Sequence, residues 1–95
     1  MIERHITFNV HPDRTGEFER FFADDYRPAM AKSAGFVKVE LLRETGSLTR
    51  YQMVLRFEDP DSAAGWRTSE VHQALQPALK ALHSDSEVQG YDVIG

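Results

Sequence analysis

Residues 2–10 alternate between two sets, Ile2, Arg4, Ile6, Phe8 and Val10 against Glu3, His5, Thr7 and Asn9. A period of two is that of a strand with one buried face, and Arg4 is the only charge in the apolar row. The period then lengthens. In the segment opening HPDRTGEFERFF, Phe18, Phe21, Phe22, Ala29 and Met30 follow helical spacing, which predicts an amphipathic helix with an aromatic stripe. Pro12 suits its first turn, and Asp13 and Glu17 suit its positive end. Pro28 should bend the helix by removing a backbone donor, and Gly35 is the expected stop.

Alternation returns in FVKVELLR, residues 36–43, where Val37, Val39 and Leu41 oppose Lys38 and Glu40, with Phe36 and Leu42 on the polar side. In RYQMVLRFE, residues 50–58, Tyr51, Met53, Leu55 and Phe57 oppose Arg50, Gln52, Arg56 and Glu58. The turn ETGSLT between them makes an antiparallel hairpin, in which Arg50, Arg56, Glu40 and Glu58 are expected to pair across strands. Asp59 and Pro60 open a second helical region. RTS interrupts it, Ser69 caps a new start, and Val71, Leu75, Leu79 and Leu82 form an apolar stripe with Pro77 bending the helix. EVQGYDVI reads as a fourth strand.

The order β-α-β-β-α-β, with right-handed crossovers around a central hairpin, predicts an α+β, ferredoxin-like fold. A four-stranded antiparallel sheet carries both helices on one face. The other face is left bare, and its mixed residues, Phe36 and Leu42 beside Lys38 and Glu40, predict a second copy covering it.

Ninety-five residues suit one domain, 1–95, and 41% hydrophobic with 27% charged residues suits a globular one. A net charge of −4 argues against nucleic acid as a partner. The absence of cysteine removes disulfides, thiolate metal sites and cysteine nucleophiles. A charged first strand is not a signal peptide, and no apolar run approaches the roughly 20 residues of a membrane helix. A cytoplasmic location with no membrane partner is expected. The histidines are far apart and fit no metal-ligand spacing, and no glycine-rich phosphate loop occurs, so no metal, nucleotide or flavin is expected. Ser69 and His72 lack a nucleophile elbow.

Two residues stand out. Trp66, the one tryptophan, reads as core or as one wall of a cavity, and a large flat ring can be both. His72 lies one position past Val71, off the apolar stripe, and shares a second line with Gln76 and His83. It reads as a solvated histidine or as a pocket base near neutral pKa. His5 and Asn9 share the polar side of the first strand, facing either the open sheet surface or a pocket edge. Tyr51 and Tyr91 suit packing with wet hydroxyls, and His11 suits solvent.

The passages VHPDRTGEFERFF, RPAMAKSAGFVKVELLRE, YQMVLRFED and AAGWRTSEVHQAL, in this order and spacing, resemble the antibiotic biosynthesis monooxygenase (ABM) family of dimeric α/β barrels over nearly the whole chain. The resemblance implies a homodimer that oxidises a small phenol- or quinol-like aromatic with dioxygen and no cofactor, the substrate supplying the electrons. Trp66 would be the pocket wall and His72 the base or hydrogen-bond donor, with His5, Asn9, Tyr51 and Gln76 as lesser substrate-binding candidates. Haem-degrading members use an asparagine on the first strand, the helix tryptophan and an iron-ligating histidine about ten residues beyond it. Here those positions hold His5 or Ile6, Trp66 and Gln76, so haem degradation is not expected. The competing reading is a non-catalytic ligand-binding or stress-related module, since one fold hosts many functions.

Overall fold

A computed structural model describes residues 1–95. It contains β1 (Ile2–Val10), α1 (Thr15–Phe21), a π-helical turn (Phe22–Tyr26), α2 (Arg27–Ala31), β2 (Phe36–Arg43), β3 (Arg50–Phe57), α3 (Pro60–Thr68), α4 (Glu70–Leu82) and β4 (His83–Asp92). The strands form one antiparallel sheet in the order β2-β3-β1-β4, so the fold is the expected ferredoxin-like one. No helix is long and apolar enough to cross a membrane.

The core lies between the sheet and its helices. From the sheet come Phe8, Val10, Tyr51, Met53, Leu55 and Phe57, and from the helices Phe18, Phe22, Tyr26, Met30, Trp66, Leu79 and Leu82. Gly35 ends the first helical stretch at φ +77, and a side chain there would collide with Ser62 of α3. Only glycine tolerates both demands.

The first helix differs from its sequence reading in two ways. It starts at Thr15, because Pro12 and Asp13 occupy the middle of a turn closed by Arg14 N–H donating to the His11 carbonyl at 2.9 Å. Irregularity also falls before Pro28 rather than at it. The Pro28 ring would press on the Asp24 carbonyl one turn earlier, and the chain widens there instead, with Arg27 N–H reaching back five residues to the Phe22 carbonyl. This widening has a consequence for packing. Regular α-helix would rotate Met30 about 120° away from Phe18, yet Phe18, Phe22, Tyr26 and Met30 are all buried. The π turn brings the four onto one face.

Three smaller departures follow from pairing. A bulge between Phe36 and Lys38 turns Phe36 inward onto Phe57 and leaves Val37 exposed, the reverse of strict alternation. β4 begins at His83, directly after α4, and its polar start is held by Ser84 and Asp85 bonding to Asn9. Arg56 pairs with Glu3 of β1 and Arg50 with Glu44, while Glu40 takes Lys38 as its partner. None of the four expected charges therefore pairs with another, and Glu58 forms no ion pair.

Candidate active site

The break between α3 and α4 is what makes the site. Asp59 caps α3 by accepting from Ser62 N–H at 2.7 Å, with Pro60 at the first helical position. Trp66 lies in the last turn of α3 and His72 in the first turn of α4. Ser69, in extended conformation between them, joins both ends. Its hydroxyl donates to the Trp66 carbonyl at 2.7 Å and accepts from His72 N–H at 3.1 Å. The chain reversal sets the indole and imidazole edge-to-face, with centroids 5.1 Å apart.

Tyr26 completes the cluster from the π turn. Its ring meets Trp66 at 5.7 Å and His72 at 6.3 Å, both edge-on. Burial pushes the Tyr26 hydroxyl up to about 12, with the Trp66 indole opposing the shift, so at neutral pH it is a neutral hydroxyl. A π turn supplying a residue to such a cluster fits the frequent occurrence of these turns at functional sites.

These rings border a cavity of about 430 Å³ between the helices and the sheet. Its apolar lining includes Ile6, Phe8, Leu55 and Leu79, and its polar lining includes Arg4, Arg67, His72, Gln76, Lys80 and His83. His72 and Gln76 thus lie on the cavity face of α4, and His83, the first residue of β4, borders the same cavity. Val71, at the head of the apolar stripe, is 52% exposed, because the start of α4 turns His72 inward instead.

His72 Nε2 lies 3.1 Å from the Gln76 side-chain amide, while Nδ1 is buried with no hydrogen-bond partner. Gln76 serves only Nε2, so one ring nitrogen is always left over. Burial lowers the His72 pKa. The Arg67 backbone, near the ring but outside hydrogen-bonding geometry, opposes that shift, and the Arg67 guanidinium adds to it. The imidazole is therefore neutral at physiological pH, the form that accepts a proton.

Trp66, His72 and Gln76 are brought together; the other sequence candidates are not. His5 and Asn9 lie on the open face of the sheet. His5 Nε2 is 2.7 Å from Glu3, and its ring sits 4.5 Å from Tyr91. Asn9 donates to Asp85 at 2.8 Å and accepts from Arg50 at 3.3 Å. Tyr51 points to the helix side but at the far end of β3, where its hydroxyl donates to Glu19 at 2.5 Å. Burial, then Glu19, raises its pKa. It borders a larger, shallow depression of about 770 Å³ beneath the β2–β3 turn, whose Glu19 is already engaged by Tyr51 and lies 4.0 Å from Arg43. Free polar groups and stacked rings favour the smaller cavity as the site. No three His, Asp or Glu side chains converge as a metal site would require.

Tyr26, Arg4 and Arg67 are site residues the sequence reading missed. Tyr26 was signalled by the four-residue spacing Phe18–Phe22–Tyr26–Met30, and Arg4 by being a charge in an apolar row. Arg67 carried no signal beyond its place next to Trp66.

Fold and cavity define a small ferredoxin-like α+β protein with an aromatic-walled pocket beneath its helices. The chain belongs to the antibiotic biosynthesis monooxygenase family, whose model matches residues 1–78. Among solved structures it is similar to SnoaB, a cofactor-independent oxygenase from Streptomyces nogalater. The two are 27% identical over 97% of this chain and 91% of that one, with a TM-score of 0.88. A Caulobacter crescentus CB15 protein bearing the family's name is 19% identical over 99% and 90% of the two chains, with a TM-score of 0.89. A conserved protein from Methanosarcina mazei Go1 is 18% identical over 95% and 89%, with a TM-score of 0.86. These last two likenesses show the fold alone. The chain matches no curated protein sequence.

Proposed function

We propose that this protein is a cofactor-independent monooxygenase of a flat, electron-rich aromatic such as a naphthol, quinol or anthrone. The observation that carries the reading is the half-buried His72 set edge-on to Trp66 and Tyr26 at the border of a cavity, with one ring nitrogen unpartnered. The likeness to SnoaB and the family membership support it. In this chemistry His72 removes a proton from the substrate, and the resulting anion passes an electron to dioxygen. Carbon–oxygen bond formation and loss of water complete a balanced exchange, in which the CH₂ group of an anthrone, or of the keto tautomer of a naphthol or quinol, and O₂ become a C=O group and H₂O. Trp66 and Tyr26 hold the ring and keep water out. Gln76 holds the imidazole plane.

A second copy packed on the open sheet face completes the reading, because the helices cover only the other face and Leu42 and Tyr91 remain exposed on this one. Light scattering is expected to give twice the chain mass, with an interface above about 1,000 Å².

The direct test is oxygen uptake with a panel of hydroxynaphthalenes and anthrones after chelation. Uptake by the wild type that collapses in His72→Ala is the expected result. No uptake with any member of the panel would leave a ligand-binding module as the better reading.

A further inference from the structure

The charge around the cavity is lopsided. The chain has 15 Asp and Glu against 11 Lys and Arg, yet Arg4, Arg67 and Lys80 line the cavity and no carboxylate does. None of these three cations has an ion-pair partner in the chain. Arg4 stands in the β1 row with Ile6 and Phe8, facing the helices. Arg67 lines the same cavity, and burial and then its guanidinium lower the Arg4 pKa. The same guanidinium disfavours charge on His72. The half-buried Arg4 guanidinium has no counter-charge and a second cation on the same cavity, and an anion placed between the two supplies what is missing.

We propose that the cavity takes an aromatic ligand bearing a carboxylate, with its ring against Trp66 and its carboxylate held by Arg4 and Arg67. The proposal rests on the reading of this cavity as the substrate site and narrows the substrate to an aromatic acid. Guanidinium forks match a carboxylate with paired hydrogen bonds. Lys80 lies about 12 Å along α4 from His72 and attracts the anion from the other end. The arrangement also couples binding to basicity. In the empty cavity the Arg67 guanidinium helps keep His72 neutral, and a bound carboxylate cancels its field. His72 then accepts a proton more readily once substrate is in place.

The test compares 3-hydroxy-2-naphthoate with its neutral amide, 3-hydroxy-2-naphthamide, by calorimetric titration without oxygen. The acid is expected to bind about ten- to hundredfold tighter, the range of one or two charge-assisted hydrogen bonds. That preference should largely vanish in Arg67→Gln, whose exposed position leaves folding untouched, and in Arg4→Gln. In the NMR titration of His72, the acid should raise its pKa and the amide should not. Equal binding of acid and amide would overturn the carboxylate proposal while leaving the cavity as a substrate site. A preference unchanged in both variants, or no binding of either probe, would overturn it as well. A clear acid preference in a protein that never consumes oxygen would uphold the anion site and count against the monooxygenase reading.

Discussion

The two faces of β1 carry polar groups in opposite states. On the open face Glu3 accepts from Arg56 at 2.6 Å and meets His5 at 2.7 Å, and Asn9 bonds both Asp85 and Arg50. On the helix face Arg4 has no partner, and across the cavity His72 Nδ1 has none. His5 and His72 are both half-buried imidazoles, so residue type and burial do not separate them. Their partners do. A ligand approaching His5 must displace bonds already made, whereas one entering the cavity supplies bonds that are missing. A satisfied network holds a sheet together, and an unsatisfied one marks where something binds.

Substitutions can break this contrast. The largest effect belongs to His72→Ala, which should lower oxygen turnover by about 10²–10⁴-fold, the contribution of a positioned base. His5→Ala should leave turnover within a small factor. Next comes Trp66→Ala. Its ring is 4% exposed, so removal should cost about 3–5 kcal/mol, read from urea unfolding followed by circular dichroism. Ser69→Ala removes the cap of α4 and the tie between Trp66 and His72. About 1 kcal/mol of stability should be lost, together with turnover, because the two rings are no longer held face to edge. Glu3→Gln on the open face should cost only about 0.2–1 kcal/mol and leave turnover unchanged.

The smallest effect sharpens the contrast through pH. His72 is lowered from 6.5 by burial, so its folded form favours the neutral state. That stability is complete above pH 6.5 and is lost as pH falls through the lower folded value. Glu3 is lowered from 4.5, first by its bond to His5 and then by Arg56. Its contribution is complete above pH 4.5 and is lost below that. Stability measured against pH should therefore fall in two stages. His72→Gln should remove the first, beginning near pH 6.5, and Glu3→Gln should shrink the second, to which Asp59 and Asp85, both lowered from 3.8, also contribute.

Much of the fold was legible because it rests on short-range pattern. β1 runs over the residues whose alternation marked it, and Asp59, Pro60, Ser69 and Gly35 begin or end helices where their chemistry says they should. Part of the cavity lining was legible too. The second line, His72, Gln76 and His83, borders the cavity from the last helix and the start of β4. Tyr26 and Phe36 were harder, since a π turn and a bulge each slip the register by one residue, and periodic reading assumes that no slip occurs.

What the sequence determined by itself is the alternation of β1, with Arg4, Ile6 and Phe8 on one side and Glu3, His5 and Asn9 on the other. That follows from the period of two along any strand. Only the tertiary structure decided which side is which in chemical terms. Helices α3 and α4 arrive over the Arg4 row bringing Trp66, Arg67 and His72, and they bring no acid. β3 and β4 arrive beside the other row bringing Arg56 to Glu3, and Arg50 and Asp85 to Asn9, so its polar groups find partners. A strand's own pattern sets where its side chains point, but whether a charge is paired depends on residues far away in the chain, and packing alone chooses those.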